Sequence, residues 1–302
     1  MDRLSFGSRF LRSGDSLAPL TGPATRGAVL VTGSSTGIGR ATALRLDRAG
    51  FQVFAGVRNR GDAESLEADG SERLEPVIID VTDEGTIEAT RERIDEVTGG
   101  RLAGLVNNAG IVVAGPIETL DLEQLRRQLE VNVTAQVAVT QALLPQIRAA
   151  SGRIVLMASI GGRMSLPYLS PYHASKFALE AVGDALRMEM RPFGVNVSIV
   201  EPGSIATPFW GKGTDQVDQV LEAMSPEQLQ LYESSARAAA ESGRKAEARG
   251  IPPDRVAKAV EDALTSSRPK TRYLVGVDAR IQATLHKWLP DRVIDRLVAS
   301  QM

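Results

Sequence analysis

The chain has 302 residues, of which 43% are hydrophobic and 24% are charged, a mixture that can bury a sizeable core. Its 35 basic and 37 acidic residues are nearly balanced, so a nucleic-acid partner is not expected. With no cysteine, two histidines and no apolar run of the roughly 18 residues that span a membrane, we expect no metal site and a soluble, cytoplasmic protein.

Residues 1–26 differ in composition from the rest of the chain. They hold basic residues among Ser, Gly and Pro, without an apolar stretch long enough for a secretory signal. A basic, Ser-rich start is also found in organelle-targeting peptides, but Asp2 and Asp15 argue against that alternative. We therefore expect a disordered leader, followed by one domain over residues 27–302.

From residue 28 onward, short apolar runs alternate with helical patterns. The predicted strands are Ala28–Thr32, Gln52–Val57, Pro76–Asp80, Leu102–Asn107, Arg153–Ala158, Val195–Val200 and Arg272–Val277. Most are apolar nearly throughout, which is typical of strands buried on both faces. The predicted helices are Gly39–Ala49, Asp83–Val97, Leu122–Ala149, Tyr172–Arg191 and Pro253–Ser266. This alternation predicts an α/β fold, with a doubly wound sheet of about seven parallel strands and helices on both faces.

Two segments depart from the alternation. Residues 207–250 form a long polar insertion, in which the capping box Ser225–Gln228 predicts the start of a helix. The insertion is either a lid over a ligand site or a surface decoration. Residues 279–302 carry apolar helical stripes on both sides of Pro290, which we expect to pack on the chain's own core or on a partner subunit rather than on a membrane.

A glycine-rich turn, Thr32-Gly33-Ser34-Ser35-Thr36-Gly37-Ile38-Gly39, directly follows the first predicted strand. Glycine permits a tight turn and a close approach of the backbone to a pyrophosphate. The N-terminus of the next helix then presents free N–H groups and the positive end of its dipole to the same anion. A turn of this kind between a first strand and a first helix predicts a dinucleotide site.

Several motifs, in this order along the chain, resemble those of classical short-chain dehydrogenases/reductases. They are TGxxxGIG at Thr32–Gly39, NNAG at Asn107–Gly110, the catalytic tetrad Asn132, Ser159, Tyr172 and Lys176, and Pro202-Gly203 after the sixth strand. The resemblance covers about Ala28–Val277 and implies a single Rossmann-like domain that binds a nicotinamide dinucleotide. A less specific likeness, over Gly162–Lys176 and Val197–Trp210, points to the branch that acts on steroids, retinoids and other lipophilic alcohols.

The tetrad also makes chemical sense. Tyr172 and Lys176 are four residues apart and so share a helix face. A free tyrosine has a pKa near 10, which a nearby ammonium and a positive nicotinamide ring would lower. Tyr172 could then exchange a proton with a carbonyl or alcohol oxygen that Ser159 also holds. By resemblance, Lys176 also binds the nicotinamide ribose, and Asn132 positions a water that links Lys176 to solvent.

The resemblance implies a set of cofactor-binding residues, most of which follow the carboxyl ends of the strands. They are Gly33, Ser35, Thr36, Gly37, Ile38, Gly39, Asp80, Val81, Asn108, Ala109, Gly110, Tyr172, Lys176, Pro202, Gly203, Ile205 and Thr207. Asp80 and Val81 would contact the adenine. Ile205, through its backbone, and Thr207, through its hydroxyl, would hold the nicotinamide carboxamide.

Arg58 bears on the choice between NADP and NAD. It follows the second predicted strand, where the adenosine ribose should lie, and Val57 before it is not acidic. A carboxylate there would bind the 2′-hydroxyl of NAD, whereas a guanidinium can pair with the 2′-phosphate of NADP. We therefore favour NADP(H) over NAD(H), and a solvated loop arginine with no role in selection is the alternative.

The predicted substrate-binding residues are Ser159, Tyr168, Tyr172, Phe209 and Trp210. Most of the surrounding side chains are apolar, so we expect a small apolar alcohol or carbonyl substrate. Arg163 and Lys212 could hold a carboxylate, but we expect both to be solvated.

The function favoured by these residues is hydride transfer between a nicotinamide and a secondary alcohol or ketone, or a lipophilic alcohol or aldehyde. The alternatives are a non-catalytic nicotinamide dinucleotide sensor and a membrane-surface protein on the same scaffold. Dehydratases and epimerases of this fold mostly show a G-x-x-G-x-x-G turn, which the sequence lacks. By resemblance, the helices Leu122–Ala149 and Tyr172–Arg191 should also build a homodimer or homotetramer.

Overall fold

The computed structural model describes residues 27–299, apart from the side chains of residues 210–216. The leader at residues 1–26 lies outside this part of the chain. The strands are β1 (Ala28–Val31), β2 (Gln52–Val57), β3 (Leu74–Ile78), β4 (Gly104–Asn107), β5 (Arg153–Met157), β6 (Asn196–Pro202) and β7 (Arg272–Val275). The α-helices in this part are α1 (Gly37–Arg48), α2 (Arg60–Asp69), α3 (Glu84–Thr98), α4 (Leu122–Leu129), α5 (Ala135–Ala149), α6 (Ser170–Met190), α7 (Phe209–Glu222), α8 (Pro226–Ala248), α9 (Asp254–Thr265), α10 (Val277–Trp288) and α11 (Asp291–Ala299).

The strands form one parallel sheet in the order β3-β2-β1-β4-β5-β6-β7. Alternate residues of β1 point to opposite faces, so Leu30 belongs to one apolar cluster while Val29 and Val31 belong to the other. Residues of α3, α5 and α6 cover the first face, and residues of α1 and α9 cover the second. The predicted doubly wound, Rossmann-like fold is therefore confirmed.

The helical stretch predicted over Leu122–Ala149 is present with those bounds, but a π-helical turn at Glu130–Thr134, which was not predicted, separates α4 from α5. Wide turns of this kind often mark functional sites. Here the turn carries the fully buried Asn132. Helix α2 was not predicted, because Leu66 is its one buried residue and it therefore has no apolar stripe.

The insertion at residues 207–250 contains two helices, α7 and α8, that pack on each other around Leu221, Met224 and Ala236. Helix α10, in the C-terminal tail, packs inward through the fully buried Ala279. Its predicted apolar stripe faces outward instead of covering the chain's own core, with Trp288 74% exposed, and the contact with a partner subunit stays a prediction. Within residues 27–299, no helix is both long and apolar enough to cross a membrane.

Candidate active site

A cleft of about 960 Å³ lies beyond the carboxyl ends of the strands, at the point where the chain order reverses between β1 and β4. Predicted site residues from six strand ends and from helix α6 line it. They are Gly33, Ser35, Thr36, Gly37, Ile38, Gly39, Arg58, Asp80, Val81, Asn108, Ala109, Gly110, Ser159, Tyr172, Lys176, Pro202, Gly203, Ile205, Thr207 and Phe209. The fold thus brings together residues that are up to 176 positions apart in the sequence.

The glycine-rich turn is packed tightly against the loop after β4. A Cβ added at Gly39 would lie 2.0 Å from the carbonyl oxygen of Gly33, so no other residue fits there. Asn108 secures the turn, since its side-chain amide donates to the carbonyl oxygens of Thr32 at 2.9 Å and Gly33 at 3.1 Å. The N-cap residue of α1, Thr36, makes no side-chain capping bond, and the first turn holds no acidic residue. These features fit a pyrophosphate on the helix N-terminus.

Charged side chains surround the cleft near the ends of β2 and β3. Hydrogen bonds from the backbone and hydroxyl of Thr82 lower the pKa of Asp80, and the charges of Arg58 and Arg127 lower it further. Arg58 is exposed and makes no salt bridge with any of the side chains that the structure describes. Its guanidinium is therefore available to an anionic ligand. Arg127 on α4 was not anticipated, because sequence spacing does not show that α4 borders this end of the cleft.

Three of the four tetrad residues meet at the opposite end of the cleft. Ser159 follows β5 and hydrogen-bonds to Tyr172 on α6. Its Oγ also accepts from the backbone N–H of Gly161 at 3.0 Å, which fixes the side chain. Lys176 lies one helical turn beyond Tyr172, with its ammonium 5.8 Å from the centre of the phenol ring. The ammonium donates to the carbonyl oxygen of Met157 at 2.7 Å.

Burial controls the ionisation of these groups. It raises the pKa of Tyr172 to about 12, although the hydrogen bond with Ser159 opposes the rise. It lowers the pKa of Lys176 to about 8, while the charge of Glu180 opposes the fall. Desolvation of the buried phenol outweighs the hydrogen bond with Ser159, which favours the phenolate. The lowering that we expect from the ammonium and a nicotinamide ring acting together stays a prediction for the complex with the cofactor.

Asn132, the fourth tetrad residue, lies behind the cleft wall. Its side-chain oxygen accepts from the backbone N–H of Ile111 at 2.9 Å, and its amide donates to the carbonyl oxygen of Ile111 at 3.1 Å. The same amide donates to Ser175 on α6 at 3.1 Å. Asn132 thus joins the π-helical turn to the loop after β4 and to the helix of Tyr172.

Of the other predicted substrate-binding residues, the structure places Phe209 in the cleft but not Tyr168. The ring of Phe209 lies 5.9 Å from that of Tyr172, at the start of α7. Tyr168 is not part of the cleft wall; its φ of 67° is unusual for a non-glycine residue, and its hydroxyl donates to Ser235 of α8 at 2.6 Å. The side chain of Trp210 lies outside the described part of the chain, as does that of Lys212.

A buried charge cluster beneath the site was not anticipated. Arg163, expected to be solvated, pairs with the fully buried Glu201 of β6 at 2.7 Å. Arg272 of β7 contacts the same carboxylate at 3.1 Å and that of Glu180, one turn after Lys176, at 3.0 Å. A carboxylate in an otherwise apolar strand requires a partner, so Glu201 was the signal in the sequence that could have revealed this cluster.

Comparison with known proteins accounts for this arrangement. The model of the short chain dehydrogenase family matches residues 27–218. The chain belongs to the short-chain dehydrogenase/reductase family. It is therefore an oxidoreductase, and members of this family bind a nicotinamide dinucleotide.

Two relatives span nearly the whole chain. Retinol dehydrogenase 5 of Mus musculus is 36% identical over 91% of this chain and 89% of its own. An NADPH-dependent 3-dehydrocapnine reductase of Ornithobacterium rhinotracheale is 35% identical over 89% of this chain and 94% of its own. The predicted likeness to the retinol dehydrogenase branch is confirmed by the first of them.

Solved structures agree with the fold. A short-chain dehydrogenase from Streptomyces avermitilis superposes with a TM-score of 0.73 at 32% identity, covering 91% of this chain and 96% of its own. A short-chain dehydrogenase from Burkholderia cenocepacia, solved with NADP, gives a TM-score of 0.68 at 24% identity, covering 94% and 98%. The second likeness bears on the fold alone.

Proposed function

We propose that this oxidoreductase interconverts a secondary alcohol and a ketone, or a lipophilic alcohol and an aldehyde, with Tyr172 as its general acid and base. The observation that carries the proposal is the convergence of Ser159, Tyr172 and Lys176 at one end of a cleft whose other end suits a dinucleotide. A bound nicotinamide would supply or accept the hydride.

The protein's own residues have defined tasks in this reaction. A tyrosine with a pKa of about 12 is protonated at neutral pH, so Tyr172 is ready to donate its proton to a carbonyl oxygen. Ser159, bonded to Tyr172 and fixed by Gly161, is placed to donate to the same oxygen. Lys176 keeps its positive charge close to the phenol, which stabilises the phenolate left after proton transfer.

NADP(H) is the proposed cofactor in preference to NAD(H). The support is Arg58, which lies at the adenosine end without a protein salt-bridge partner in the described structure, and Val57, which cannot accept from a ribose hydroxyl. Arg127 adds a second positive charge near Asp80. The name of the Ornithobacterium relative, an NADPH-dependent reductase, agrees with this choice.

The proposed substrate is a small apolar alcohol or carbonyl compound. Phe209 presents an apolar ring beside Tyr172, and Arg163, which could have held a substrate carboxylate, is paired with Glu201 instead. The name of retinol dehydrogenase 5 agrees with a lipophilic alcohol.

The test is turnover of a panel of apolar ketones, aldehydes and secondary alcohols, followed by the absorbance of the reduced nicotinamide with each dinucleotide. We expect oxidation of NADPH with at least one carbonyl compound of the panel. Tight NADPH binding without turnover across the whole panel would instead favour the non-catalytic sensor.

A further inference from the structure

The C-terminal helix α10 reaches the cofactor cleft through a single carboxylate. It begins directly after Gly276, and its first turn contains Asp278. The Oδ2 atom of Asp278 accepts a hydrogen bond from the backbone N–H of Ser204 at 2.7 Å. Ser204 lies in the segment Pro202–Thr207 after β6, which we call the carboxamide loop because its proposed role is to hold the nicotinamide carboxamide.

Two glycines leave room for this carboxylate. A Cβ added at Gly203 would lie 2.4 Å from both carboxylate oxygens of Asp278. A Cβ added at Gly276, where φ is +116°, would lie 2.3 Å from Oδ1. A side chain at either position would force the carboxylate of Asp278 out of this place. The half-buried carboxylate therefore lies directly against the backbone of two strand ends.

Two further amides of the carboxamide loop are held by backbone atoms. The N–H of Gly203 donates to Val275 at 2.9 Å, and that of Ala206 donates to Ile251 at 3.0 Å. Successive N–H groups of an extended chain point to alternate sides, so the N–H of Ile205 points away from Ile251. Ile205 also lines the cleft. The orientation of the Ile205 amide thus depends on the hydrogen bonds made by its two neighbours, Ser204 and Ala206. The acceptor for Ser204 is the carboxylate of Asp278.

The same turn of α10 supports the catalytic serine. Ala279, next to Asp278, is fully buried and packs in a small cluster with Ile160 and Met164. Ile160 directly follows Ser159. Helix α10 therefore contacts both loops that border the reacting end of the cleft, although it contributes no residue to the cleft wall.

We propose that Asp278 is a positioning residue, which holds the carboxamide loop in the conformation that binds the nicotinamide half of the cofactor. The inference rests on the proposed function, because it assumes that the nicotinamide lies against this loop. It assigns a role to the C-terminal tail, which begins after the family's motifs end. The adenosine half of the cofactor, at the ends of β2 and β3, should not depend on Asp278.

Binding of two different ligands distinguishes the nicotinamide half of the site from the adenosine half. The experiment measures the dissociation constants of NADPH and of adenosine 2′,5′-bisphosphate, which represents the adenosine half alone. Asp278→Ala should weaken NADPH binding by about tenfold or more, as expected for the loss of a charged hydrogen bond, and should leave the bisphosphate unchanged. Asp278→Asn keeps an acceptor oxygen and should recover part of the loss. Asp295→Ala, at an exposed position of α11, is the matched control.

Each outcome has a distinct meaning. If Asp278→Ala binds NADPH as the wild type does, or loses affinity for both ligands equally, the positioning role is wrong. Unchanged bisphosphate binding also shows that the variant is folded. If the wild type binds neither NADPH nor the bisphosphate, the proposed function fails first, and the inference fails with it.

Discussion

Arg58 is the residue on which the proposed preference for NADP depends. Its guanidinium is exposed at the edge of the cleft and would pair with the 2′-phosphate, whereas NAD offers only a hydroxyl there. Arg58→Ala should raise the Michaelis constant for NADPH, equivalent to about 1–3 kcal/mol of lost binding, and barely change that for NADH. Arg60→Ala is the control, since Arg60 points into solvent and pairs with Glu64.

Val57 offers the complementary substitution. It is the last residue of β2 and lines the cleft beside Arg58. Val57→Asp should favour NADH over NADPH, because a carboxylate there would accept from the ribose hydroxyls and repel the phosphate. Steady-state kinetics with both cofactors checks the two variants. A wild type that works better with NADH than with NADPH would show that Arg58 does not select the cofactor.

At the scale of single residues, the sequence predicted best the site residues that lie close to one another along the chain. Tyr172 and Lys176 lie on one helix, and Ser159 follows a strand that could be recognised from its apolar residues. The bond from Ser204 to Asp278 spans 74 residues, and that from Arg272 to Glu180 spans 92. Contacts of this length depend on how β6 and β7 pair in the sheet, which no local pattern specifies.

At the scale of elements, apolar runs predicted the strands well because both faces of the sheet are covered. The polar helix α2 was missed since it buries one leucine, and the π-helical turn before α5 was missed since it depends on bonds that Asn132 makes to Ile111. Local periodicity carries no information about such tertiary contacts.

The charge cluster that joins α6, β6 and β7 should make stability depend on pH. Burial, together with the charge of Glu201, raises the pKa of Glu180 from 4.5 to about 7, although Arg272 and Arg163 oppose the rise. Lys176, one turn earlier on α6, and Asp184, which pairs with Arg272 at 2.7 Å, are further charged groups near this carboxylate. Between the two pKa values of Glu180, 4.5 in the unfolded chain and about 7 in the folded protein, the folded state binds more protons than the unfolded state. The free energy of unfolding therefore falls as pH rises through this window.

Glu180→Gln removes this titration and tests it. The variant should resemble the wild type at about pH 5 and should be the more stable of the two at about pH 8, where the buried carboxylate is ionised. Urea unfolding at both pH values measures the difference. Glu189→Gln, at an exposed position of the same helix, should behave as the wild type does. If the free energies of unfolding of the variant and the wild type differed by the same amount at both pH values, the raised pKa of Glu180 would be contradicted.

At the scale of the whole molecule, the outward face of α6 predicts a homodimer. Phe177 is 44% exposed and Met188 is 64% exposed, and Ala174, Ala181 and Ala185 lie on the same face. An apolar stripe of this kind on a long helix is suited to a two-fold contact with its own copy, in a homodimer or within a homotetramer.

Ala181→Glu should disrupt that contact, because it places a charge at the centre of the stripe. We expect the wild type to sediment as a dimer or tetramer at micromolar concentration and the variant to sediment as a smaller species. Leu231→Glu, at an exposed position of α8, should not change the assembly. A wild type that is monomeric under these conditions would contradict the prediction.

The most direct test of the account is the Tyr172→Phe variant. The substitution removes the hydroxyl that exchanges the proton and keeps the ring, which packs against Phe209. Once the panel has given a substrate for the wild type, we predict that turnover falls by about 10²-fold or more while the dissociation constant of NADPH changes little. Turnover close to that of the wild type would contradict the assignment of Tyr172 as the general acid and base.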